Sequence, residues 1–180
     1  ALHAWFAHIP GLRVVTPATV ADARDLMIAS VLSPSPVVFI DDRWLYDLED
    51  ELPPVQELDL ATIGPARLKE GDDVTIVGSG YSTQLALEAA DALADRGISA
   101  DVVDLRVLNP FDPAEIVASV RRTGRLIVLD GGWRTCGMAG EVIASVTERV
   151  APSELKASPL RVTLPDAPAP TSRVLEAVYY

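Results

Sequence analysis

The stretch from Val74 to Leu105 constrains this chain most. It reads VTIVGSG, YSTQLALEAADALADRG and ISADVVDL in succession. A β-branched apolar run ends in Gly78-Ser79-Gly80. After it, Leu85, Ala86, Ala89, Ala90 and Leu93 recur at spacings of three and four. That spacing predicts a helix with one apolar face. Arg96-Gly97 predicts its end, with a cation near the negative pole and a glycine free to take positive φ. A second apolar run, Ala100 to Leu105, then returns. The pattern is a β-α-β unit, and such crossovers are right-handed in about 98% of cases.

The alternation continues downstream. Asp112 to Arg122 predicts a helix, with Pro113 in its first turn and Ile116, Val117 and Val120 pointing inward. Arg125 to Asp130 is a third strand. Gly137 to Val150 is a third helix with Val142, Ile143 and Val146 inside, and Leu160 to Leu164 is a fourth strand. Short strands with helices between them predict an α/β fold: a parallel sheet with helices on both faces. The tail, PDAPAPTSRVLEAVYY, opens with alternating prolines and ends apolar, so Leu175, Val178 and Tyr179 are expected to lie on something.

Upstream the pattern is similar but shorter. Leu2 to Ile9 predicts a short helix with Trp5, Phe6 and Ile9 on its apolar side. A domain rarely opens on such a segment, so the chain is expected to begin inside one. Pro10-Gly11 makes a turn and Leu12 to Val15 a strand. Thr19 with Asp22 resembles a capping box and starts a helix carrying Ala23, Leu26, Met27 and Val31 on one face. Ser33-Pro34-Ser35-Pro36 ends that helix. Val37 to Ile40, apolar at consecutive positions, predicts a buried parallel strand. From Asp41 to Pro65 the pattern breaks. Asp47, Glu49, Asp50, Glu51, Glu57 and Asp59 crowd a stretch that also holds Pro53-Pro54, which predicts an extended, solvated linker. The expected boundaries are 1–46, a linker over 47–65, and a second domain over 66–180, entered through Ala66 to Lys69 and a turn at Glu70-Gly71-Asp72.

A formal net charge of −11 repels phosphate backbones and argues against nucleic-acid binding. No apolar run approaches the ~20 residues needed to span a bilayer, and the opening ALHAWFAHIPG lacks a basic signal-peptide region. A single cysteine, Cys136, excludes an internal disulfide and fits a reducing compartment, the cytoplasm. Ligands of open parallel sheets bind at strand carboxyl ends, here Gly78-Ser79-Gly80, Asp104-Leu105-Arg106, Asp130-Gly131-Gly132 and Pro165-Asp166. The first, with Asp104 downstream, approximates a dinucleotide loop. However, Thr83 replaces the third glycine, and Tyr81 puts a ring where backbone must meet pyrophosphate. Gly132 to Gly137 has phosphate-loop spacing, but Met138-Ala139 stands where Lys and Ser/Thr belong. Cys136 precedes a helix without a histidine nearby in sequence and reads as packed or incidental. His8, on an aromatic helix, reads as a satisfied buried or interface group. Metal-ligand spacings of Cys and His are absent.

Taken together, AWFAHIPGLRVVTP, SPVVFIDDRWLY, GDDVTIVGSGYSTQLALEAADAL, VVDLRVLNPFD, TGRLIVLDGGW and RVTLPDAPAP resemble the β subunit of thiamine-diphosphate-dependent 2-oxo acid dehydrogenases, in order and over nearly the whole chain. Gly131-Gly132-Trp133 resembles the pyruvate-type subunits. Acetoin dehydrogenase and transketolase-like relatives share the architecture. The resemblance implies the end of a pyrimidine-binding α/β domain followed by a transketolase C-terminal domain. It also implies that the glutamate and the His-Ser-Gln histidine of the active site lie upstream of Ala1. His3 and His8 do not match that motif and inherit no catalytic role.

By the same resemblance the intact enzyme is expected to decarboxylate a 2-oxo acid, pyruvate, and to pass the acyl group to a lipoyl acyltransferase component. It works as an α2β2 assembly in which the α subunit holds the thiamine diphosphate and magnesium. This stretch alone is expected to be inactive and to serve subunit assembly. A potassium site held by main-chain oxygens maps onto Ser30, Val31, Ser33 and Ser35, where the family carries Asp and Asn at the last two positions. Trp133 and Arg134 follow a strand end as candidate interface anchors. The alternative is a non-catalytic assembly or regulatory module.

Overall fold

The computed structural model describes residues 2–180. It opens with helix α1 (His3–Ala7), strand β1 (Arg13–Val15), helix α2 (Val20–Leu32) and strand β2 (Val37–Phe39). The Thr19 side chain accepts the Asp22 N–H at 3.1 Å and so caps α2. β1 and β2 pair in parallel, Val14 beside Val38. β2 is half-buried rather than buried, because it forms a sheet edge.

The inward face of α2 differs from the expected one. Leu26 is buried, but Ala23, Met27 and Val31 are exposed, and Asp25 and Ala29 take their places. The helix is apolar around most of its circumference, so spacing alone does not choose its face. The connector over 47–65 helps to choose it. Arg24 reaches Asp25 through Nε at 2.7 Å and donates to the carbonyls of Pro53 and Pro54, while the Gln56 N–H reaches Asp25 at 3.4 Å. The acidic residues of this connector are exposed as expected, yet it is not solvated throughout. Leu60 is buried, and Leu58 and Ile63 pack with it against Val15, Leu26 and Ala29.

Strands β3 (Ala66–Lys69) and β4 (Val74–Gly78), helix α3 (Tyr81–Ala94), strands β5 (Ala100–Asp104) and β6 (Val107–Asn109) and helix α4 (Ala114–Thr123) follow. Strand β7 (Leu126–Trp133), helix α5 (Met138–Thr147), strand β8 (Leu160–Leu164) and helix α6 (Arg173–Tyr179) complete the chain. Five strands form one sheet in the order β3-β5-β4-β7-β8, in which β5, β4, β7 and β8 run parallel and β3 is an antiparallel edge. Alternation at period two sends Val77, Val103 and Val128 toward Ile116 and Val120 of α4 and Val142 and Val146 of α5. Ile76 and Val102 face Ala86 and Ala90 of α3 on the other side. Each such buried Val, Leu or Ile contributes roughly 1.5–3 kcal/mol, so side-chain burial, more than helix propensity, holds the layers together.

Three details depart from expectation. Leu85 is exposed, and Leu87 packs inward with Ser82, Thr83, Ala86 and Ala90. The first turn of α3 runs so close to β4 that a Cβ on Gly78 would lie 2.8 Å from the Thr83 nitrogen, and this approach turns the Ser82–Thr83 side inward. Leu175 and Val178 are also exposed, and of these three tail residues it is Tyr179 that is tethered. Finally, β6 leaves the five-stranded sheet and pairs antiparallel with β1, Val107 beside Val15, giving a second sheet of order β2-β1-β6. The predicted helix end is found: Gly97 takes φ +75°, and the Ile98 N–H returns to the Leu93 carbonyl at 3.0 Å.

Candidate functional site

The carboxyl ends of both sheets meet at one junction. Thr16 follows β1 and Asp41 follows β2, and both line the same crevice as Ser79 after β4 and Gly131 near the end of β7. His3 and Asp130 close the junction from opposite sides. His3 is 9% exposed and Asp130 6%, and His3 Nε2 lies 2.8 Å from Asp130 Oδ1. The Gly132 N–H donates to the same oxygen at 2.9 Å, and the Ala139 N–H, in the first turn of α5, donates to Oδ2 at 2.8 Å. Burial alone would raise the Asp130 carboxyl. The hydrogen bonds from His3, Ala139 and Gly132 outweigh it and hold the group below the usual carboxylate range. His3 therefore has a positioning role that its sequence context does not disclose.

A second tie crosses the same junction. Asp104, at the end of β5, is fully buried. Its Oδ1 accepts the Thr83 hydroxyl at 2.9 Å and the Arg106 N–H at 3.3 Å, and its Oδ2 has no partner among the described residues. Burial pushes this carboxyl up to about 7, against the lowering pull of Thr83 and Arg106. Arg106 has φ +53°, and the Val107 N–H bonds the Leu105 carbonyl at 2.5 Å across it, a tight turn that carries the chain from one sheet to the other. Its guanidinium reaches Asp22 of α2 at 3.3 Å and the Gly64 carbonyl at 2.8 Å. An arginine at positive φ leaves no local sequence signal, because that conformation is normally left to glycine.

The expected site residues fall in separate places. Ser33 and Ser35 line a cavity of about 210 Å³ together with Arg13 and Asp59. The Ser33 hydroxyl donates to the Ser35 carbonyl at 3.2 Å, and the Ser30 carbonyl accepts the Ser33 N–H at 3.4 Å. Ser30 and Val31 lie in the last turns of α2, and Val31 is 78% exposed. Trp133 is half-buried, and its indole N–H donates to the Ala167 carbonyl at 3.0 Å and the Tyr179 hydroxyl at 2.9 Å, so it secures the tail of its own chain. Arg134 is exposed and lines a groove of about 860 Å³ with Trp5, His8 and Cys136.

His8 is exposed rather than buried, and Cys136 is exposed rather than packed. Over Gly132 to Gly137 the chain folds back tightly. The Asp130 carboxylate already accepts an N–H from the first turn of α5, where a phosphate would otherwise sit. Among the described residues no group of three or more His, Cys, Asp or Glu is gathered as a metal site, and no helix is long and apolar enough to cross a membrane.

Residues 65–180 match the family described as "Transketolase, C-terminal domain", and the chain belongs to it. The acetoin:2,6-dichlorophenolindophenol oxidoreductase subunit beta of Cupriavidus necator is 41% identical over 175 residues, covering 97% of this chain and 51% of that one. The mitochondrial pyruvate dehydrogenase E1 component subunit beta-1 of Arabidopsis thaliana is 41% identical over 179 residues, covering 96% and 48%. The human mitochondrial pyruvate dehydrogenase E1 component subunit beta is 35% identical, covering 96% and 49%. The chain spans about half the length of these curated relatives. Among solved structures, a "Split gene transketolase, inactive beta4 tetramer" superposes with TM-score 0.72 at 28% identity, covering 98% of this chain and 55% of that one.

Proposed function

We propose that this chain is part of the β subunit of a thiamine-diphosphate-dependent 2-oxo acid dehydrogenase, of the pyruvate type. In this reading the whole enzyme decarboxylates a 2-oxo acid oxidatively and passes the acyl group to a lipoyl acyltransferase partner. The observation that carries the reading is similarity over both lobes: 35–41% identity across 96–97% of the chain to subunits named for that activity or for acetoin oxidation. The enzyme would work as an α2β2 heterotetramer in a reducing compartment, the cytoplasm. Thiamine diphosphate and magnesium would be held outside these residues.

The proposal also keeps a potassium ion on the carbonyls of Ser30, Val31, Ser33 and Ser35. Each carbonyl that accepts one hydrogen bond retains a second lone pair, and two of the four residues, Ser33 and Ser35, line a cavity that Asp59 also lines. The part of the molecule described here supplies assembly, through Trp133, Arg134 and the exposed apolar faces. A second reading, a self-assembling non-catalytic module, is favoured by one observation: the solved relative is described as an inactive β4 tetramer.

The decisive experiment combines the whole β chain with an α subunit and thiamine diphosphate, and offers pyruvate and acetoin separately with a dye acceptor. Turnover of pyruvate supports the first reading. Turnover of acetoin alone reassigns the substrate, and turnover of neither removes the enzymatic reading.

A further inference from the structure

We propose that residues 53–64 form a strap that fastens α2 to the second lobe and opens, from its diproline end, before either sheet does. Its holders are two arginines, each set by a carboxylate of α2. Asp22 and Asp25 lie three residues apart and therefore share one side of that helix. Asp25 binds Arg24, and Asp22 binds Arg106, the turn residue that leads into β6.

The first holder grips the diproline. Asp25 is buried, and its two oxygens accept Arg24 Nε–H at 2.7 Å and a terminal N–H at 3.2 Å. This paired contact fixes the plane of the guanidinium. The other N–H groups of Arg24 then donate to the Pro53 carbonyl at 2.8 Å and the Pro54 carbonyl at 3.3 Å. Two consecutive prolines have preset φ angles, so docking their carbonyls orders little additional backbone. Asp25 adds one bond of its own, from the Gln56 N–H at 3.4 Å. Residues 51–57 are exposed, and these bonds tie that stretch to α2.

The second holder joins the lobes. Arg106 reaches Asp22 at 3.3 Å and donates to the Gly64 carbonyl at 2.8 Å, so the far end of the strap is fastened to both lobes at once. Between the two arginines the strap turns apolar. Leu60 is buried, and Leu58 and Ile63 pack with it in one cluster with Val15, Leu26 and Val107. The two halves are therefore held differently. Residues 53–57 depend on Arg24 and Asp25, whereas 58–64 have an apolar wedge as well as Arg106. Opening begins at the diproline for that reason. When closed, residues 58–61 complete the wall of the cavity lined by Ser33 and Ser35.

The test is hydrogen exchange of the full chain followed by nuclear magnetic resonance, with digestion by a glutamate-specific protease as a second reading. Glu57 lies within the strap. Arg24→Gln removes the holder of the diproline from a partly exposed site. The Gln56 amide is expected to exchange about tenfold faster or more in this variant, as loss of hydrogen bonds to a charged group predicts. Cleavage after Glu57 is expected to quicken with it, while amides of β4 and β7 keep their wild-type rates. An unchanged rate at Gln56 or of cleavage after Glu57, or exchange that quickens equally in β4 and β7, overturns the proposal. The proposed decarboxylase activity does not depend on this outcome.

Discussion

His3 Nε2 stands 2.8 Å from Asp130 Oδ1, across 127 positions of chain, and both side chains are buried. The pair fastens α1 to the end of β7 and so couples the two lobes. His3→Ala should lower stability by about 1.5–3 kcal/mol, as loss of a hydrogen bond to a charged group does. Asp130→Ala should cost more, about 3–5 kcal/mol, because it orphans His3 and the N–H groups of Gly132 and Ala139 together. Urea midpoints of the two variants check the order. The Asp130 carboxyl is held below its usual range, so its contribution is present above the unfolded pKa of about 3.9 and is lost as pH falls through the lower folded value.

Asp104 has the opposite sign. Its folded pKa is raised to about 7, so the native state binds a proton that the unfolded chain releases near 3.9. Stability is therefore expected to fall as pH rises from about 4 to about 7, by an amount on the order of 4 kcal/mol. Asp22 is also raised by burial and adds in the same direction. Asp104→Asn keeps an acceptor for the Thr83 hydroxyl and should flatten most of this slope. Thermal melts of both proteins across that range give the comparison, and equal slopes would remove the assignment.

Tyr179→Phe deletes a hydroxyl that donates to the Ala167 carbonyl at 2.8 Å and accepts the Trp133 indole N–H. The loss should be about 1 kcal/mol, confined to the tail, because Leu175 and Val178 hold little against the body. Hydrogen exchange should quicken over residues 166–180 and stay unchanged in β4 and β5.

Gly137→Ala should be among the most disruptive single-methyl changes. The added Cβ would lie 2.2 Å from the Trp133 carbonyl oxygen and 2.9 Å from Asp130 Oδ2. Either the backbone of this turn or the Asp130 tie must move, at about 1–3 kcal/mol. A lowered melting temperature with near-wild-type far-ultraviolet dichroism is the expected pair of results.

A potassium ion on the Ser30–Ser35 carbonyls predicts a melting temperature higher in potassium chloride than in sodium chloride at equal ionic strength. Identical melts in the two salts would remove that site.

The sequence alone determined the α/β class, the parallel run of β4, β5, β7 and β8 and the inward faces of α4 and α5. Each of these rests on local periodicity: Val77 and Ile76 must point to opposite faces of a strand, and Ile116, Val117 and Val120 must share one side of a helix. The near-continuous motifs from Ala4 to Pro170 also carry the family resemblance in the sequence itself. Where a helix is apolar nearly all round, as α2 is, periodicity carries no such information, and Arg24, Asp25 and the connector choose the face.

Only the tertiary structure decided that β6 joins the other sheet, that His3 meets Asp130 and that Arg106 turns through positive φ to reach Asp22 and Gly64. These contacts pair residues far apart in the chain, and their energies depend on burial and orientation. Neighbouring residues do not encode either quantity.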